Sequence, residues 1–147
     1  MIKTLKFIHN VFMDPDGNFE VKLDMDGNYR MFVEAKYTGY TTKEDIKKQV
    51  APEDCKKIRE LIDECALWTW HNSYQPEGYE VLDGFSWELV YEDSGEIIGY
   101  NGNVIKVEGS NAYPWCFYKL IRAIIIAVPE LKYELEEYAV EKVPVYE

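Results

Sequence analysis

The sequence is poor in the side chains from which metal sites and nucleophilic centres are made. Its 147 residues hold two histidines and three cysteines. His9 and His71 lie far apart, and Cys55, Cys65 and Cys116 form no CxxC pair, so no metal or cofactor is expected. There is no phosphate-binding GxxxxGK[ST] or GxGxxG loop, no GxSxG elbow and no HExxH helix. Catalytic residues are therefore not assigned, and an enzyme is the less favoured reading. With 27 acids some carboxylates must lie close together, so a carboxylate pair carries no information. A sparse, odd set of thiols fits a reducing compartment, and a cytoplasmic location is expected. The longest apolar stretch, Trp115 to Val128, contains Lys119 and Arg122 and is too short to span a bilayer of roughly 30 Å. The opening MIKTLKFIHNVFMDPDG is interrupted by Lys6, His9 and Asn10 and lacks a small-residue cleavage site, so no export signal is expected.

Positive charge is also scarce. Sixteen bases against 27 acids leave a formal charge of -11. Such a chain repels nucleic-acid phosphates and anionic membranes, so neither is expected as a partner. It attracts a basic protein, or the charge only keeps the molecule in solution. Apolar residues are plentiful at 47%, with 12 tyrosines and 4 tryptophans, enough for a core without cross-links.

Local patterns give the fold class. DPDGNF and DMDGNY are ten residues apart and each carries Asp-Gly, a tight-turn signal between strands. They predict a three-stranded antiparallel meander over about 4–12, 18–24 and 28–38. Phe19, Val21 and Leu23 alternate with Glu20, Lys22 and Asp24, which assigns one face to the core. A calcium loop is excluded at both turns. The first and last ligand positions would be Phe12 and Leu23 in one, and Lys22 and Val33 in the other.

Residues 37–51 are polar and mixed in charge and read as an exposed connection, with or without a short strand. Pro52, Glu53 and Asp54 then open a helix whose Cys55, Ile58, Leu61, Ile62 and Cys65 share one stripe, making the two thiols core residues. Phe85, Trp87, Leu89 and Tyr91 alternate along a later strand. A turn at Asp93, a return strand over 96–100 and a short strand over 104–108 should follow. Beyond Pro114, apolar Phe117, Leu120, Ile121, Ile124, Ile125 and Val128 predict a central helix. Pro129 either breaks it or starts another. The expected fold is a single α+β domain over residues 1–147, with an antiparallel twisted sheet (the N-terminal meander plus a later hairpin) packed against two to three helices.

Two stretches are candidates for binding. In WTWHNSYQPEGY the rings Trp68, Trp70, His71, Tyr74 and Tyr79 either anchor a partner or roof the core. In GSNAYPW, Tyr113 is expected at the cap position and Pro114 at the first helical residue. Ser110 or Asn111 then folds back over the open amides, or an anion meets them there. Cys116 falls in that first turn, where a helix dipole lowers a thiol pKa, but no spacing brings a base to it, and a core thiol is expected.

The blocks DGFSWEL (83–89) and GSNAYP (109–114) resemble those of an uncharacterised bacterial family of small proteins with DG-x-SW-x-L followed by G-x-N-A-Y-P. The resemblance covers the second half of the chain well and the meander loosely, and the intervening YNGNVIKV is longer than the pattern. No activity is attached to that family. The resemblance implies that Asp83, Gly84, Trp87, Asn111, Tyr113 and Pro114 meet in space, as a site or as a structural clasp.

Three functions remain open. The leading one is a non-enzymatic protein-interaction module whose acidic surface binds a basic protein, of the immunity or counter-defence type. The alternative is a small-ligand binder or enzyme with a pocket between the helix start at 113–117 and the aromatic loop at 68–79. The third is a homodimer that hides its aromatics.

Overall fold

The computed structural model describes residues 2–26, 30–75, 84–93 and 104–141. Among the described residues, seven strands form one sheet: β1 (Ile2–Val11), β2 (Phe19–Asp26), β3 (Arg30–Tyr37), β4 (Ile46–Gln49), β5 (Ser73–Tyr74), β6 (Phe85–Asp93) and β7 (Val104–Ser110). Their order is β4-β3-β2-β1-β6-β7-β5. Three helices follow the same chain: α1 (Pro52–Glu64), α2 (Phe117–Ala127) and the single turn α3 (Lys132–Leu135).

The predicted meander is β1-β2-β3, antiparallel throughout. Its register decides the faces. Phe7 stands opposite both Val21 and Leu89, and Leu5 opposite both Leu23 and Tyr91. All six are buried. Side chains alternate at period two, so the neighbouring positions Lys6, Lys22, Glu34, Lys36, Glu88 and Lys106 make up the opposite, partly or fully exposed face. Ion pairs such as Lys36–Glu34 at 3.1 Å and Lys106–Glu88 at 3.4 Å cross that face, and in water such pairs contribute little.

β6 pairs antiparallel with β7, the strand expected over 104–108. The turn after Asp93 and the expected return strand over 96–100 lie outside the described residues. Two features depart from expectation. First, β6 pairs with β1 along almost the whole strand, so the N-terminal strand is central in the sheet. Second, β5 adds to β7 in parallel, so the sheet is mixed at one edge.

Both long helices lie against the inner face. Cys55, Ile58, Ile62 and Cys65 of the α1 stripe are buried, while Leu61 is half-buried. α2 buries Phe117, Leu120, Ile121 and Ile124, each contributing about 1.5–3 kcal/mol relative to exposure. α2 starts three residues later than predicted, with Cys116 at its cap position. Asn111 turns the chain at φ 52°, and Ala112 is tied to Trp87, so residues 112–116 follow tertiary contacts before helical hydrogen bonds begin. Pro129 breaks the helix and opens a 3-10 turn. No helix among the described residues is long and apolar enough to cross a membrane.

Candidate functional site

The candidate residues converge on the end of the molecule where α1 stops and α2 begins. α1 ends because Ala66 adopts the left-handed conformation, φ 49°. That turn throws Trp68 outward, 76% exposed, while Trp70 folds back, 8% exposed. The Trp70 Nε1–H donates to the Cys65 carbonyl at 2.9 Å and lies 3.2 Å from the Cys116 sulfur. Its ring meets Trp87 edge-on at 6.1 Å. The Cys116 thiol in turn donates to the Cys65 carbonyl at 3.2 Å, which fastens the start of α2 to the end of α1. Lys119 and Glu64 pair at 3.0 Å across the same junction.

His71 is exposed, and its backbone N–H donates to the Tyr74 hydroxyl at 2.9 Å. Tyr74 stacks on Trp87 at 6.1 Å, and burial pushes its phenol pKa up. Tyr79 lies outside the described residues. Of the aromatic loop, then, Trp68 and His71 face solvent, Trp70 is core and Tyr74 is half-buried.

The DGFSW and GSNAYP blocks do meet. Gly84 lies so close to the Asn111 amide that a Cβ there would overlap it. Asn111 Oδ1 accepts from the Phe85 N–H at 3.1 Å, and the Asn111 N–H donates to the Phe85 carbonyl at 2.9 Å. The Trp87 Nε1–H donates to the Ala112 carbonyl at 2.9 Å. Tyr113 stacks on Phe117 at 5.1 Å and tilts against Phe85 at 6.0 Å. Asp83 is outside the described residues. Asn111 therefore holds β6 and does not cap α2, which has no side-chain cap. At the start of α2, Phe117 packs against Tyr113 and Trp70. Ser110 and Asn111 instead line an open groove of about 420 Å³ at the sheet's end, shared with Asn10, Asn18, Phe12 and Met13.

The thiols lean away from reactivity. Burial, with the neighbouring Cys116, pushes the Cys65 thiol up to about 12. Burial also raises Cys116, outweighing the Trp70 N–H that would lower it. No cluster of three His, Cys, Asp or Glu side chains among the described residues could hold a metal ion.

The sequence reading passed over Trp115, which is 57% exposed beside buried Cys116. A signal for it existed. Trp115 falls off the Phe117, Leu120, Ile121, Ile124 stripe, so a core helix has no use for its ring. Trp115 adjoins Cys116, and Trp68 lies three residues beyond Cys65, whose carbonyl accepts from the Cys116 thiol, so both indoles belong to the same end of the helix pair. The last turn of α1 carries Asp63 and Glu64 and no base. Glu60, Asp63 and Glu64 are all exposed. Acids at the negative end of a helix dipole are unfavourable for the helix itself. No protein-family profile matches the chain, and no curated protein matches it.

Proposed function

We propose that this protein is a non-enzymatic interaction module that binds a basic protein partner, in the manner of an immunity or counter-defence protein. The observation that carries the reading is the exposure of two indoles, Trp68 and Trp115, at one end of the helix pair, beside the acids of the α1 terminus. Large exposed aromatics are enriched among the residues that dominate protein interfaces. The charge of -11 supplies the complement to a cationic surface and speeds encounter. Burial raises the pKa of the Cys65 and Cys116 thiols, which fits a core role for both.

The test is partner capture from the native host at low and high salt, followed by binding measurements on variants. Trp68→Ala and Trp115→Ala should each weaken binding of the captured partner about tenfold or more, equivalent to roughly 1.4 kcal/mol. Glu60→Lys should slow association and flatten its salt dependence. Capture of no basic protein at low salt, or full affinity in both tryptophan variants, would defeat the reading.

A further inference from the structure

The most anomalous polar group lies in the core, on the central strand. His9 is 1% exposed, and register sets it opposite Phe19 on β2 and Trp87 on β6. Its Nδ1 lies 2.7 Å from the Gly17 carbonyl oxygen. A carbonyl only accepts, so Nδ1 carries the proton and Nε2 presents a lone pair. That Nε2 is buried and has no hydrogen-bond partner among the described residues. Rings surround it. Phe19 stacks at 4.9 Å, Phe7 at 6.2 Å, Phe85 tilts at 5.8 Å and Tyr138 stands edge-on at 5.7 Å.

Three of those rings come from central strands and cannot move without breaking the sheet. The fourth comes from a 3-10 turn, Glu136–Tyr138, near the end of the described chain. Tyr138 is held by ring contacts with Phe85 at 4.4 Å, Tyr113 at 6.3 Å and Phe117 at 6.5 Å. Just beyond it, Arg122 Nε–H donates to the Ala139 carbonyl at 2.7 Å. A single helical turn of this kind is the most easily opened wall of the cluster.

We propose that His9 is an acid sensor, and that its protonation releases the Glu136–Tyr138 turn from the sheet. Protonation adds a charge and a second N–H at Nε2. Gly17 already accepts from Nδ1, and the rings offer no acceptor for the new donor. The charged groups that face the imidazole are Asp14, at the turn between β1 and β2, and Glu137 on the 3-10 turn. The facing phenol is Tyr138. β2 presents the uncharged Phe19, and β6 the uncharged Phe85 and Trp87. Lifting the turn lets water reach Nε2–H and leaves Glu137 free to approach the imidazolium. The direction of the titration agrees, since burial holds the His9 pKa below its ordinary 6.5 against the opposing pull of Gly17, Glu137 and Asp14. In the opened state the imidazole returns toward 6.5. The closed state is therefore fully favoured above that pH and loses ground as the pH falls toward the lowered value. Below the lowered value the loss stops growing.

The test follows the His9 ring by NMR alongside amide exchange at Tyr138 and Ala139, with exposed His71 as the second imidazole signal. After correction for intrinsic exchange rates, the opening constant of these amides should rise up to about tenfold per pH unit below 6.5. Amides of Val21 and Val33 should keep their protection. In His9→Gln the rise should vanish. A rise that persists in His9→Gln, or one shared equally by Val21 and Val33, overturns the proposal. If His9→Gln does not fold, the unaltered protein decides. Opening at Tyr138 that tracks the His9 titration supports the sensor, and opening that ignores it overturns it.

Discussion

Trp87 shows how a single side chain locks two distant segments. Its indole N–H reaches the Ala112 carbonyl, and its ring packs against Trp70, Tyr74 and Phe117. Gly109 must be glycine for that ring to sit where it does. A Cβ there would overlap the indole nitrogen and fall 2.6 Å from the Ala112 carbonyl oxygen. Gly109→Ala should therefore destabilise by about 1–3 kcal/mol, seen as a lower urea midpoint with an unchanged slope. Trp87→Phe keeps most of the packing but strands a buried carbonyl. It should cost about 1–3 kcal/mol by the same assay. That the segments of Gly84, Trp87 and Asn111 meet was implied only by the resemblance of the DGFSW and GSNAYP blocks to a family pattern. The partner atoms were not legible, because which amide meets which carbonyl depends on β6 and β7 being adjacent.

At the scale of elements, the junction of α1 with α2 is the informative place. Ala66 terminates α1 in the left-handed region, which a Cβ disfavours. Ala66→Gly should raise stability by about 0.5–1 kcal/mol, visible as a higher melting temperature. Cys65 and Cys116 face one another behind Trp70, and burial keeps both protonated at neutral pH. In the folded protein they should react with a disulfide reagent at pH 8 far more slowly than in urea. Equal rates in the two conditions would contradict the burial described here. Helical periodicity assigned Cys55 and Cys65 to the core correctly, since a stripe at 3.6-residue spacing has one buried face. The start of α2 was placed too early. Proline rules give only the local preference, and the Trp87–Ala112 bond and a turn closed by the Phe117 N–H on the Pro114 carbonyl take up the residues before helical hydrogen bonds begin.

At the scale of the whole molecule, a two-layer architecture leaves one face of the sheet wet and gathers the rings at the ends of the strands and helices. Two exposed tryptophans and a large negative charge make the proposed association with a basic partner salt-sensitive. Light scattering of the isolated protein separates this from self-association, for which the mass would be twice the 17.3 kDa of the chain. The sequence by itself determined the α+β class, the meander, the inner faces of β2 and β6, the apolar stripe of α1 and the apolar α2. All of these follow from periodicity and turn chemistry within a few residues of one another. Only the tertiary structure decided that β1 lies between β2 and β6, and that β5 adds in parallel. It alone turned Trp70 inward while Trp68 and Trp115 stayed out, and left His9 Nε2 among rings. Those outcomes depend on contacts between residues tens of positions apart, and a ring's exposure is set by what packs over it, which no local pattern encodes.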